Sequence, residues 1–240
     1  MIDIKNIKVI IMADSSGGFG GGTARWGNYL GVKKHLAPIG EIPVIHYLQK
    51  KLFKYGFSDI SISCLEEDRD SYIINDNRWI QSPDVSSLIN PYHDILICKD
   101  MLSLEKNNII LFGDNFYSDL FFERIINVDP TKWWQYGREG KSIYVNKPYT
   151  EGFGWYIPSN LVNWLIKVSV EASEWMINNH GKIVAGVAIH QTHEFALKYE
   201  NESDWFSHLV NVNDETTDFD YPHEWDFWTK NVLPNISLDI

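Results

Sequence analysis

Val9-Ile10-Ile11-Met12-Ala13 runs directly into Asp14-Ser15-Ser16-Gly17-Gly18-Phe19-Gly20-Gly21-Gly22-Thr23-Ala24-Arg25, and an apolar pattern returns only at Leu36-Ala37-Pro38-Ile39. Seven of the sixteen glycines lie between these points: Gly17, Gly18, Gly20, Gly21, Gly22, Gly27 and Gly31. A loop this long, without a helical or strand period of its own, is uncommon in a compact domain unless it binds something. Glycines allow backbone N–H groups to approach an anion closely, and Arg25, Lys33 and Lys34 add positive charge at the far end. Composition alone supports a polyphosphate cradle and a plain surface loop about equally.

The neighbouring residues carry the reading further. No Gly-Lys-Ser/Thr triplet follows the glycines, which excludes a P-loop. A dinucleotide fingerprint fits Gly17 to Gly22 only if the glycines are slid, and no helix-periodic run follows directly. Pro43 opens a helix whose Ile45, Leu48, Leu52 and Tyr55 share a face and which Gly56 stops, and Asp59–Cys64 alternates as a strand. This β-loop-α-β beginning is typical of doubly wound α/β proteins.

Asn108–Phe112 is a continuous apolar run ending in Gly113-Asp114. In a parallel sheet ligands collect at the carboxyl ends of strands, so Asp114 and the Gly-rich loop are delivered to one edge. Without the loop, Asp114 reads better as a turn aspartate capping the helix after Ser118. Near the C-terminus, Asp218-Phe219-Asp220-Tyr221-Pro222-His223-Glu224 sets carboxylates before a helix begun by Pro222. An acidic turn with helix-terminus charges accounts for Asp218 and Glu224 well and for Asp220 less well.

Taken together these stretches resemble the nucleotidyltransferases that activate sugars, alditols and phosphoalcohols by joining them to a nucleotide. The likeness is carried by Val9–Ala13 with Gly17–Arg25, by Lys33-Lys34-His35-Leu36-Ala37-Pro38-Ile39, by Leu111-Phe112-Gly113-Asp114-Asn115, and by the Asp-x-Asp-x-Pro pattern ending at Pro222. Lys147-Pro148 followed by Gly152-Phe153-Gly154-Trp155-Tyr156 resembles the family's Lys-Pro and Gly-aromatic strand. Asp14, Lys33 and the added Trp26-Gly27-Asn28-Tyr29 depart from the pattern.

The resemblance implies a three-layer α/β/α, Rossmann-like mixed sheet of the nucleotide-diphospho-sugar transferase type. It implies one domain over 1–240, with a nucleotide-binding half over 1–128 and an acceptor-binding half over 129–240. It further implies nucleotide contacts from Ala13, Gly17, Gly18, Gly20, Gly21, Gly22, Arg25, Lys34 and Gly113, and a Mg²⁺ site at Asp114 and Asp220. Arg25, Lys34 and Lys147 are the implied catalytic cations, Lys147 toward an acceptor phosphate, although from the residues alone a solvated loop lysine fits that position nearly as well. The implied partners are an NTP and a small phosphorylated acceptor. Two alternatives stand beside this reading. A glycosyltransferase of the related fold usually carries a mid-chain Asp-x-Asp and lacks the Gly-rich Arg/Lys loop, and a non-catalytic nucleotide sensor would bind NTP without releasing pyrophosphate.

Composition agrees. Net charge is −11 without a basic cluster able to track a nucleic-acid backbone, so nucleic acid is not an expected partner. A negatively charged chain that binds a nucleotide must concentrate its few cations or recruit a divalent metal. Cys64 and Cys98 lie in apolar runs and read as buried thiols in a reducing, cytoplasmic setting. No signal-peptide pattern or transmembrane run is present, so no membrane partner is expected, and a homo-oligomer is compatible with the sequence.

Elsewhere, Asp94–Cys98 reads as a buried strand, Met101–Glu105 as a short helix, and Asp119–Val128 as an amphipathic helix with Leu120, Phe121, Ile125 and Val128 in the core. Trp133–Tyr136, Ser142–Val145 and Gly152–Ile157 read as strands of an antiparallel section. Ser159 caps a helix through Ile166, Val170–Ile177 forms another, and Lys182–Ile189 reads as a strand. Val210–Val212 is strand-like. Glu66–Pro91 reads as ordinary connection, with Gln81–Ser87 the part that the resemblance offers for base recognition, and His190 and His193, without a partner cluster, read as structural.

Overall fold

A computed structural model describes residues 1–13, 26–27, 29–74, 79–81, 94–145, 147–148, 150–181, 183 and 185–239. The strands are β1 (Ile7–Met12), β2 (Pro38–Ile39), β3 (Ile42–Pro43), β4 (Asp59–Ser63), β5 (Trp79–Gln81), β6 (Asn107–Phe112), β7 (Trp134–Arg138), β8 (Glu151–Ile157) and β9 (Leu209–Asn211). The helices are α1 (Val44–Lys54), α2 (Arg69–Tyr72), α3 (Asp94–Ile97), α4 (Asp119–Ile125), α5 (Val162–His180), α6 (Ala185–Tyr199) and α7 (Pro222–Asn231).

Seven strands form one sheet in the order β5-β4-β1-β6-β8-β7-β9, while β2 and β3 pair as a small hairpin. β5, β4, β1 and β6 are mutually parallel, β8 runs against both β6 and β7, and β9 is parallel to β7. Only β8 is reversed, so its first residue, Glu151, lies at the same edge as the carboxyl ends of β1, β6 and β7.

Alternation along the central strands sends apolar residues to both faces, as a doubly covered sheet requires. Val9, Ile11, Ile109 and Leu111 pack with Ile45, Leu48 and Leu52 of α1 and with Phe121, Phe122 and Ile125 of α4. Ile10, Met12, Ile110, Trp155 and Ile157 pack on the other face with Ile95, Val162, Leu165, Val168, Ala196 and Leu197 of α3, α5 and α6. The result is the expected three-layer mixed α/β architecture. Cys64 belongs to the first cluster and Cys98 to the second, so the sheet separates these free thiols.

Two helix starts follow their sequence signals, whereas Ser159 does not cap α5 but opens a 3₁₀ turn, Ser159–Leu161, that leads into it. Pro43 precedes α1, and Ser118 caps α4 by accepting from the Phe121 N–H at 3.1 Å. At β8 the ladder slips: Tyr136 pairs with Gly154 while Gly137 pairs with Gly152, leaving Phe153 as the extra residue of a bulge. Phe153 and Tyr156 consequently share the first core face although three positions apart. Gly154 has φ +150°, and a Cβ there would stand 2.1 Å from the Ile110 carbonyl oxygen, so no side chain fits.

Several expectations are corrected. Asp94–Ile97 is helical, as is Ala185–Tyr199, where a strand was expected over 182–189. A 3₁₀ turn at Lys99–Met101 replaces the helix over 101–105, and Ser142–Val145 forms bends, closed by a Ser142 N–H bond to the Lys147 carbonyl at 2.9 Å. The two helices expected between 159 and 177 are one, Val162–His180, ended by Gly181. Leu120 points to solvent. Among the described residues, no helix is long and apolar enough to cross a membrane.

Candidate active site

The carboxyl edge gathers the charged residues. Ala13, just past β1, donates its N–H to Ser63 at 2.8 Å, and Gly113, just past β6, donates to Met12 at 2.8 Å. A Cβ on Gly113 would stand 3.1 Å from Met12 O and from the Ile11 side chain, so the close β1–β6 approach leaves little room for a side chain just before Asp114. Tyr117, fully buried, accepts from the Phe112 N–H at 2.8 Å and donates to the Phe153 carbonyl at 2.8 Å. It ties the end of β6 to the β8 bulge, and burial pushes its phenol well above the usual range.

The Asp114 turn is fastened to the C-terminal acidic segment by a reciprocal backbone pair. Phe116 N–H donates to Thr217 O and Thr217 N–H to Phe116 O, both at 2.9 Å. Asp114 and Asp218 then meet one ammonium: Lys34 Nζ lies 2.9 Å from Asp114 Oδ2 and 2.7 Å from Asp218 Oδ1. Lys34 is held in a 3₁₀ turn, Lys34–Leu36, and is 2% exposed. Burial by itself would lower its pKa, but the fields of Asp114, Asp218 and Asp220 outweigh that and raise it, so it stays charged. With its amide nitrogen turned toward the carboxylates, Asn115 donates to both Asp114 and Asp218 at 3.2 Å.

Lys147 forms a second centre. Its Nζ is 2.8 Å from the Asp218 carbonyl, 3.3 Å from Asp220 Oδ2 and Glu151 Oε1, 3.5 Å from Glu224 Oε2 and 3.6 Å from Asp218 Oδ2. At 1% exposure it is no solvated loop lysine. Burial lowers its pKa, and Asp218, Glu151, Asp220 and Glu224 raise it by more. Arg138, opposite Glu151 in the β7–β8 ladder, pairs with that carboxylate and donates to the Asp214 carbonyl at 2.8 Å and to the Thr216 carbonyl. Burial pushes the carboxyls of Glu151 and Glu224 up, with Lys147 pulling both back. Glu224 Oε2 also accepts the N–H groups of Asp220 at 2.7 Å and Tyr221 at 3.1 Å, fixing the acidic turn onto the start of α7.

Sequence reasoning selected Asp114, Asp220, Lys34, Lys147, Ala13 and Gly113, and the structure gathers all six at this edge. It pairs Asp114 with Asp218 rather than with Asp220, whose carboxylate faces Lys147. Asp218, treated as a turn charge, bridges the two lysines, and Glu151 and Arg138 were not singled out. Asp218 meets Lys34 across 184 residues and Glu151 meets Arg138 across 13, and the nearer Lys147–Glu151 pair lies outside any helix, so no helical period marks them. Gly17, Gly18, Gly20, Gly21, Gly22, Arg25 and most of the base-recognition stretch at 81–87 lie outside the described residues. The histidines behave structurally: His193, fully buried in α6, bonds the Trp205 carbonyl at 3.0 Å.

No protein-family model and no curated protein matches this chain. Solved structures do. A Bacillus anthracis protein assigned as a glucose-1-phosphate thymidylyltransferase matches with TM-score 0.60 at 15% identity, covering 98% of each chain. UDP-glucose pyrophosphorylase from Acinetobacter baumanii matches with TM-score 0.57 at 12% identity, covering 96% of this chain and 95% of that one. CTP:phosphocholine cytidylyltransferase from Streptococcus pneumoniae matches with TM-score 0.52 at 14% identity, covering 92% and 96%. The fold is therefore the nucleotidyltransferase fold, over essentially the whole chain.

Proposed function

We propose that this protein is a Mg²⁺-dependent nucleotidyltransferase that joins a nucleotide from an NTP to a small phosphorylated acceptor and releases pyrophosphate. The observation that carries the reading is the buried Lys34 ammonium held by Asp114 and Asp218 at the carboxyl edge. Two of its three N–H groups serve these carboxylates, and no described residue claims the third. In the proposal that donor meets the α-phosphate under attack, beside Ala13 and Gly113, while the glycines of 17–22 and Arg25 hold the β- and γ-phosphates.

The residues suit the metal by kind and by charge. Among the described residues, the cations of Lys34, Lys147 and Arg138 face the carboxylates of Asp114, Asp218, Asp220, Glu151 and Glu224. Among the described residues no group of three or more His, Cys, Asp or Glu is arranged to hold a metal. Mg²⁺, however, commonly uses one or two carboxylates and completes its shell with water and substrate phosphates. Asp114, Asp218 and Asp220 keep 20%, 24% and 13% of their side chains exposed, unlike the lysines between them. Asp114 and Asp220 would hold the ion, with Asp218 beside them. When bound it would neutralise charge on the donor phosphates and draw the acceptor phosphate to them.

In the transfer, an acceptor phosphate oxygen forms a bond to the α-phosphorus as the bond from that phosphorus to the bridging oxygen breaks, and pyrophosphate leaves with the electron pair. The acceptor is already ionised at neutral pH, so no general base is required. Catalysis then rests on positioning and charge stabilisation. Lys147, enclosed by four carboxylates, holds the acidic turn in place, and an acceptor phosphate reaching it would exchange with one of them.

The test is pyrophosphate release with each of the four NTPs and Mg²⁺ against sugar-1-phosphates, phosphocholine and related phosphomonoesters. One NTP and acceptor pair giving stoichiometric pyrophosphate supports the proposal; NTP binding with no pyrophosphate from any pair supports a sensor.

A further inference from the structure

The segment from Trp26 to Gly31 contains the residues added to the family-like N-terminal motif, and its described part is firmly attached. Trp26 is buried, donates its indole N–H to the Val32 carbonyl at 3.1 Å, and meets Tyr29 and Trp225 edge-on at ring separations of 5.3 and 5.8 Å. The Tyr29 hydroxyl donates to Asp226 Oδ1 at 2.5 Å. Between these anchors and Val32, the exposed Leu30 has φ +59°, a left-handed geometry that a leucine rarely adopts. Such a residue persists only where its surroundings over-determine it.

The ring contacts continue under the site. Trp225 packs against Phe219 at 4.8 Å, Phe219 against Trp228 at 5.2 Å, and Trp228 against Phe116 at 4.7 Å. Phe219 lies between Asp218 and Asp220 in the chain, and Phe116 follows Asp114 by two residues. One aromatic series thus touches all three segments that meet at Lys34.

We infer that Tyr29 and Trp26 are positioning residues, clasping the chain that enters Lys33-Lys34 onto Asp226 and Trp225 of α7, and thereby holding the Lys34 ammonium in register with the Asp218–Asp220 turn to receive a polyphosphate. The inference rests on the reading of Lys34 as a phosphate contact. Tyr29 precedes Lys34 by only a few residues, so a shift at the clasp reaches the ammonium with little chain to absorb it.

The experiment is calorimetric titration of the full chain with inorganic tripolyphosphate at fixed Mg²⁺, for wild type, Tyr29→Phe, Asp226→Ala and the double variant, with thermal midpoints measured alongside. Tyr29→Phe removes one hydroxyl and keeps the ring, so it tests the clasp even where Trp26→Ala fails to fold. Each single variant is expected to weaken binding roughly fivefold, and the double variant no more than either, because both remove one bond. A purely structural role would move the thermal midpoints and leave the affinities at the wild-type value; that result, or losses that add in the double variant, overturns the inference. Absence of tripolyphosphate binding by the wild type would remove the phosphate role of Lys34 itself and the clasp's purpose with it, a result distinct from wild-type binding that the variants share.

Discussion

Lys34 and Asp218 lie 184 residues apart in the chain and 2.7 Å apart in space, and the bond between them closes the N-terminal motif onto the C-terminal one. Removing one partner of a buried ion pair leaves the other's charge uncompensated, a loss of about 3–5 kcal/mol. Lys34→Met is expected to lower the urea midpoint accordingly. Mg²⁺ should recover part of that loss, since the Lys34 charge no longer balances Asp114 and Asp218. A Lys34→Met protein whose stability matches wild type and ignores Mg²⁺ would show that the pair carries no such charge balance.

Asp114→Asn and Asp220→Asn are expected to remain folded and to lose on the order of a thousandfold in turnover, through loss of metal-borne charge stabilisation. Steady-state rates over a Mg²⁺ titration check this. Wild-type turnover in both variants would place the metal elsewhere.

Gly154→Ala is expected to cost about 4 kcal/mol or more, because its Cβ would overlap the Ile110 carbonyl oxygen at 2.1 Å in the centre of the sheet. Denaturant unfolding, or failure to recover soluble protein, measures it.

His193 supplies a pH dependence away from the site. Burial lowers its pKa from 6.5 to about 4, with the Trp205 carbonyl bond opposing. The unfolded chain therefore binds a proton at a higher pH than the folded one. The stability from the neutral ring is complete above pH 6.5 and is lost as pH falls toward about 4, a change of about 3 kcal/mol. His193→Phe should flatten this part of the stability–pH curve, measured by urea midpoints between pH 7 and 4. An unchanged slope would show that His193 takes up its proton over the same pH range in the folded and unfolded chain.

Much of the architecture was legible because its signals are local. The apolar run before Ala13, the run before Gly113-Asp114, and the helix opened by Pro43 each carry their own period or cap. Asp94–Ile97 and the stretch beyond Ile183 were misread for the opposite reason: a short apolar run is equally a strand or a buried helical turn, and only packing against α5 settles which. In the site, Asp114 and Asp220 stood out beside glycine and proline. Asp218 did not, because its part depends on Lys34 and Lys147 arriving from distant segments. Glu151 owes its place to the reversed β8 and to the bulge at Phe153, and neither is written in the residues next to it.

The most direct test of the central claim is ³¹P NMR of the wild-type protein with an NTP, Mg²⁺ and a phosphomonoester chosen from the pyrophosphate screen, followed beside Lys34→Met. The account predicts equal amounts of pyrophosphate and a nucleotide-diphospho product from wild type, and neither at a comparable rate from the variant. Orthophosphate in place of pyrophosphate, or equal pyrophosphate release from Lys34→Met, would contradict it.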